Sequence, residues 1–252
     1  MERDDYILQA TGLSKAFRGF YAVNDVTLRV RRHTIHALIG PNGAGKTTCF
    51  NLLTTFLPAS SGQILFNDRD ITRSDPAAVA SLGMVRSFQI SAVFDHMSVL
   101  ENVRVALQRK QGHTYAFWQS DRTLDRLNDE VMALLQRVGL ERYMNHTAGE
   151  LSYGRKRALE LATTIALDPQ MILLDEPMAG LGQEDIGPVT RLIADIARGR
   201  TVLMVEHNMK VVAELCEHIT VLQAGKVLAE GSYEQVSRDP AVIEAYVGGD
   251  HD

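Results

Sequence analysis

The sequence predicts an α/β fold: a core of alternating strands and helices, interrupted by a helical insertion and followed by a small helical tail. Three observations carry this. The apolar run Ile35–Ile39 leads straight into Gly40-Pro41-Asn42-Gly43-Ala44-Gly45-Lys46-Thr47-Thr48, a strand entering a glycine loop that opens a helix. Residues 98–166 change character, with Leu124, Leu127, Val131, Leu134, Leu135 and Val138 at helical spacing. Beyond Pro169 short β-type runs return.

Taken in order, β-type runs cover residues 6–9, 26–30 and 35–39, and the helix after the glycine loop runs over about 45–56, ending before Pro58. A further strand is expected at 64–66. After the insertion, strands are expected at 171–174, 202–205, 219–222 and 227–229, the last two joined through Gly225 by a hairpin loop of three to four residues. Ser232 with Gln235 forms a capping box, and Asp239-Pro240 supplies an N-cap followed by proline at the first helical position. The expected division is a core of 1–89 and 167–231, a helical subdomain of 90–166 and a helical C-terminal tail of 232–252.

Composition narrows the class. The 252 residues fit one large α/β domain or one domain with an insertion, and 45% hydrophobic with 23% charged residues is ordinary for a globular core. A net charge of −5 argues against a nucleic-acid partner. No apolar stretch is long enough to cross a bilayer, and the acidic start Met1-Glu2-Arg3-Asp4-Asp5 does not read as a signal peptide, so membrane association would go through a partner. Cys49 and Cys216 form neither a metal spacing nor a disulfide framework, which fits a reducing cytoplasm.

Three motifs carry chemistry. The glycine loop, G-x-x-x-x-G-K-[ST], exposes backbone N–H groups at a helix start where a polyphosphate binds. Lys46 would reach the β- and γ-phosphates, and the Thr47 hydroxyl would join a Mg²⁺ ion. Met171-Ile172-Leu173-Leu174-Asp175-Glu176-Pro177 is a buried-type strand ending in two acids: Asp175 to hold Mg²⁺ directly or through water, Glu176 to orient or deprotonate an attacking water. A solvated acidic turn is the plain alternative. Leu151-Ser152-Tyr153-Gly154-Arg155-Lys156-Arg157 opens a helix with three cations at its positive end, where each is unfavourable by about 0.3–1 kcal/mol. Ser152 alone could be an N-cap, and Glu160 could offset Lys156, but an incoming anion would offset more. That anion would belong to another copy of the domain, because this chain's own loop already holds one.

A glycine loop, a Leu-Ser-x-Gly helix and an Asp-Glu strand, in that order and spanning nearly the whole chain, resemble the ATP-binding subunit of ABC transporters. The resemblance implies a P-loop NTPase (RecA-like) core with an antiparallel β subdomain and an inserted α-helical subdomain, and ATP with Mg²⁺ as cofactors. It implies Phe17 stacking on adenine and Val23 packing near the ribose. Backbone and side chains of Asn42, Gly43, Ala44, Gly45, Lys46, Thr47 and Thr48 would hold the phosphates. Gln89, in Ser87-Phe88-Gln89, would touch Mg²⁺ and the water. Glu176 would be the catalytic base and His207 the switch residue on the γ-phosphate, with Ser152 and Gly154 reaching the γ-phosphate of the opposite subunit. Two departures stand out: Tyr153 and Arg155 replace the third and fifth residues of Leu-Ser-Gly-Gly-Gln, and Gly182 stands where many members carry Asp.

Within that family, Val85-Arg86-Ser87-Phe88-Gln89, the insertion 100–147 and the ending Asp239-Pro240-Ala241-Val242-Ile243-Glu244-Ala245-Tyr246-Val247-Gly248 are most similar to subunits serving branched-chain amino acid importers. The implied partners are a second ATPase subunit (a copy or a paralogue), integral membrane permeases and, indirectly, a periplasmic substrate-binding protein, with the chain peripheral on the cytoplasmic face of the cell membrane. Val93, Phe94, Met97, Val99 and Leu100 could dock a permease helix or could be ordinary core. Urea or amide importers, the lipopolysaccharide exporter ATPase and soluble non-transport members remain as alternatives, with a generic P-loop kinase behind them.

Overall fold

The structure, a computed structural model, describes residues 5–87, 93–110 and 121–247, with backbone alone for 121–126 and 247. Its elements in chain order are β1 (Tyr6–Phe17), β2 (Phe20–Arg31), β3 (Ile35–Ile39), α1 (Lys46–Leu53), β4 (Ser61–Phe66), β5 (Arg69–Asp70), α2 (Pro76–Ser81) and β6 (Met84–Ser87). The helical stretch follows as α3 (Val99–Lys110), α4 (Asp121–Arg137) and α5 (Tyr153–Ala166), with 3-10 turns at Glu141–Tyr143 and Ala148–Glu150. The chain closes with β7 (Met171–Asp175), α6 (Gln183–Ala197), β8 (Thr201–Val205), α7 (Met209–Leu215), β9 (His218–Gln223), β10 (Lys226–Gly231), α8 (Tyr233–Ser237) and α9 (Pro240–Val247).

Over the described residues the chain divides into two compact units. One comprises Met1–Arg86, Gln170–Pro177 and Ala197–Asp252; the other comprises Ser87–Pro169 and Met178–Ile196. The segment 178–196, which sequence alone suggests for the core, thus groups with the helical unit. Two contacts there show why: Asp185 lies against Gly154, and the Arg137 guanidinium donates to Asp195 at 2.8 Å.

The first unit holds both sheets. The antiparallel sheet has the order β2-β1-β4-β5, and the larger one β10-β9-β3-β8-β7-β6. In the larger sheet β3 runs parallel to both β8 and β9, β7 parallel to β8, and β10 antiparallel to β9. Strands β3, β7 and β8 are buried along their whole length, as unbroken apolar runs covered on both faces should be. By contrast, β2 alternates over 26–31, with Val26, Leu28 and Val30 inward and the residues between them outward. Side chains from both sheets meet Cys49, Phe50, Leu52 and Leu53 of α1 in one core.

Three expectations change. Strands β1 and β2 are each 12 residues long, well beyond the runs 6–9 and 26–30, because register shifts around 10–16 let the ribbon continue to its turn at Arg18-Gly19. Helix α1 stops at Leu53: the Thr54 hydroxyl bonds back to the Phe50 carbonyl at 2.8 Å and Thr55 turns left-handed at φ 58. The β9–β10 hairpin has a two-residue loop rather than three or four, because Ala224 and Gly225 both take positive φ, 46 and 77, as a primed turn needs.

Candidate functional site: a phosphate loop and its acids

The loop is built to present backbone. Strand β3 ends at Ile39, and α1 begins at Lys46 with no side chain capping it. Its N-cap is Gly45 at φ 97; a Cβ there would stand 2.3 Å from the Ala22 carbonyl oxygen, so only glycine fits. The loop is tied from behind: Gly225 N–H donates to Ala44 O at 3.0 Å, Asn24 N–H to Gly225 O at 2.8 Å, and Gly40 N–H donates to the Tyr246 hydroxyl. Asn42 and Gly43 are exposed, Ala44 is buried, and Thr47 stands exposed on the first turn with Thr48 half-buried beside it. The Lys46 ammonium folds back onto the loop, donating to the carbonyls of Gly40 at 2.8 Å and Pro41 at 2.9 Å. Burial lowers its pKa from the usual lysine value, and the negative charge of Glu176 partly offsets this. An uncapped helix start with a lysine ammonium beside it is a receptor for phosphate oxygens.

The acids sit on the same unit. Asp175 is the last residue of β7 and 3% exposed; its Oδ2 accepts from Arg86 Nη2 at 2.5 Å. Glu176 follows at φ 46, a left-handed conformation uncommon outside glycine, held by its N–H donating to Val205 O at 2.9 Å. That turn carries the Glu176 carboxylate to His207, whose Nε2 donates to Oε1 at 3.1 Å. The His207 backbone is fixed in turn by buried Glu206, whose Oε2 accepts from the N–H groups of His207 and Asn208, each at 2.8 Å. Thr47 and Asp175 offer only hard oxygen donors, which suits Mg²⁺ completed by phosphates and water.

In the helical unit, α5 begins at Tyr153 with Ser152 in the N-cap position, yet the serine side chain makes no capping bond and is exposed. Gly154 is buried, and a Cβ on it would lie 2.4 Å from the Asp185 carboxyl carbon. The three cations do not stand free, which corrects the anion argument drawn from them. Arg155 stacks 4.3 Å from the centre of the Tyr143 ring, Lys156 pairs with Asp95 at 3.3 Å, and buried Arg157 pairs with Glu160 at 2.7 Å. Glu160 therefore serves Arg157, three residues before it, and not Lys156. What still points to an outside anion is the uncapped helix start itself.

The remaining expectations divide. Phe17 ends β1 with 46% of its surface exposed, so its face is open to a flat ring. Val23 is fully buried in β2; its side chain belongs to the core and has no surface for a ribose. Gln89 lies outside the described residues. In the apolar group offered for docking, Val93 and Val99 are buried, Met97 and Leu100 half-buried, and Phe94 is 55% exposed. Arg86, Asn51 and Glu206 are the site neighbours that sequence does not flag. Asn51 sits between apolar residues with no motif spacing, Arg86 appears only as one member of the stretch Val85–Gln89, and Glu206 is readable only as the residue before His207.

A glycine loop opening an uncapped helix, with two acids and a histidine at neighbouring strand ends, defines a nucleotide-hydrolysing P-loop protein. The chain belongs to the ABC transporter family, whose model matches residues 23–179. A second model, branched-chain amino acid ATP-binding cassette transporter, matches residues 226–252. The chain is 37% identical over 252 residues to the high-affinity branched-chain amino acid transport ATP-binding protein BraF of Pseudomonas aeruginosa, covering 96% of this chain and 98% of that protein. It is 38% identical over 250 residues to the corresponding LivG protein of Escherichia coli, at the same coverage. Among solved structures, the ADP conformation of an ATP-binding cassette of an ABC transporter superposes with a TM-score of 0.84 at 29% identity, over 96% of this chain and 99% of that one. A nucleotide-free cassette gives 0.82 at 28% identity, over 96% and 98%. The protein is an ABC-type ATPase, the ATP-binding subunit of a transporter. Among the described residues no helix is long and apolar enough to cross a membrane.

Proposed function

We propose that this subunit powers import of branched-chain or related amino acids through membrane permeases, as one of a pair of ATPase subunits on the cytoplasmic face of the cell membrane. The match of residues 226–252 to the branched-chain model and the names of the full-length relatives support the cargo class. Two subunits, identical or paralogous, would enclose two ATP molecules. The phosphate loop, Lys46, Thr47 and Phe17 of one would face Ser152 and Gly154 of the other. Mg²⁺ would be held by Thr47 and Asp175, with Gln89 as a further donor, and would screen the phosphate charge.

The observation that carries the hydrolytic reading is the Glu176–His207 pair at 3.1 Å, close enough to the phosphate loop for the Glu176 charge to act on Lys46. Glu176 accepts the proton of the attacking water, and His207 holds the carboxylate and reaches toward the γ-phosphate. The test is uptake of radiolabelled leucine by cells whose only copy carries Glu176→Gln. Loss of uptake, with the protein still membrane-associated and still binding ATP, is expected. Wild-type leucine uptake would refute the proposal.

A further inference from the structure

Arg86 is bound on four sides. Its Nη2 donates to Asp175 Oδ2 at 2.5 Å and its Nη1 to Asn51 Oδ1 at 2.5 Å. Its guanidinium carbon lies 5.7 Å from the centre of the Phe50 ring and 6.0 Å from that of Phe56. The side chain is 10% exposed and its carboxylate partner 3%, so this is a nearly dry ion pair. Such pairs contribute little net stability compared with apolar side chains of the same size, because desolvation offsets the attraction. Their value lies in fixed geometry.

The geometry here is specific. Asn51 and Thr47 are one turn apart on α1, and so on the same face of that helix. A chain of contacts therefore runs from the helix that carries Thr47, through Asn51 and Arg86, to Asp175 at the end of β7. It joins the two residues read above as Mg²⁺ donors. It also occupies one carboxylate oxygen of Asp175 and leaves the other, Oδ1, for a cation. The guanidinium, itself held by Asn51 Oδ1, fixes the position of the one Asp175 oxygen it donates to, which an ammonium on a flexible stem does less well.

We propose that Arg86 is a positioning residue for the metal site: by clamping Asp175 to α1 through Asn51, it sets how strongly Mg²⁺ enhances nucleotide binding. The proposal rests on the reading of Asp175 as the metal acid. It is tested on the full chain by calorimetry, measuring binding of a non-hydrolysable ATP analogue with Mg²⁺ and again with EDTA. The readout is the ratio of the two affinities. Loss of a residue that orients a metal ligand typically lowers metal affinity about 10–100-fold. Arg86→Ala should therefore reduce the ratio by about tenfold at least, with EDTA affinity unchanged and partial recovery in Arg86→Lys. Asn51→Ala, which keeps the buried ion pair, should reduce it less but in the same sense, and serves where Arg86→Ala fails to fold. Asp175→Asn is the control. If it lowers the ratio while neither Arg86→Ala nor Asn51→Ala does, the positioning role is wrong. Equal losses with and without Mg²⁺ would also overturn it. If Asp175→Asn itself leaves the ratio unchanged, the metal-acid reading fails first.

Discussion

Seven of the nine α-helix starts among the described residues fall into two groups. Five are closed by their own side chains: Asp75 caps α2, Ser98 exchanges bonds with Glu101 at α3, Asn208 caps α7, Ser232 forms a capping box with Gln235 at α8, and Asp239 accepts from Ala241 N–H at α9. Two are left open, α1 and α5. Helix α1 follows a glycine that has nothing to cap with. Helix α5 follows Ser152, a good capping residue that does not cap. Unsatisfied N–H groups at a helix start carry a free-energy cost unless water or a ligand meets them. The two open ends are the two that the family resemblance assigns to phosphate. The closed ends are satisfied within the fold; the open ones leave N–H groups that a ligand could meet.

A substitution at the first open end should do the most damage. Gly45→Ala places a methyl group against the Ala22 carbonyl in a left-handed backbone, so it should abolish detectable ATP binding and lower the melting temperature. Unchanged ATP affinity, measured by calorimetry, would show that the loop tolerates a side chain and is not shaped as described. Next comes Gly154→Ala in the helical unit. The Asp185 carboxylate must turn away from the new methyl, so the change should cost up to about 1 kcal/mol, and Asp185→Ala in the same chain should restore most of the loss. Additive rather than compensating effects in urea melts would separate the two residues.

The third prediction sets closed against open directly. Asn208→Ala and Ser232→Ala each remove a working cap and should cost about 1 kcal/mol. Ser152→Ala removes none and should change stability by under about 0.5 kcal/mol, the range of ordinary surface substitutions. Three equal losses in denaturant titrations would erase the distinction between the groups.

Much of this was legible in the sequence, and for a physical reason. The phosphate loop, the Asp175–Glu176 strand end, Ser232 with Gln235 and Asp239-Pro240 are local devices whose residue types are dictated by backbone geometry within a few positions. What stayed hidden depends on distant partners. Strand β6 and helix α2 are too short to show a period, and β1 and β2 carry polar outer faces that blur the alternation. The cations after Gly154 looked exposed because Asp95 and Tyr143, which meet Lys156 and Arg155, lie elsewhere in the chain. Val23 looked available because burial of a valine cannot be read from its neighbours. Arg86 was quoted only as part of a motif; its pairing with Asp175 spans 89 residues.

ATP would join two copies of the chain by bridging the open start of α1 on one to the open start of α5 on the other. Sedimentation of Glu176→Gln protein with Mg²⁺ and either ATP or ADP tests it most directly. A dimer with ATP, a monomer with ADP, and a monomer in both once Ser152→Arg is added is the predicted result. A chain that stays monomeric with ATP, or one whose ATP dimer survives Ser152→Arg, would contradict it.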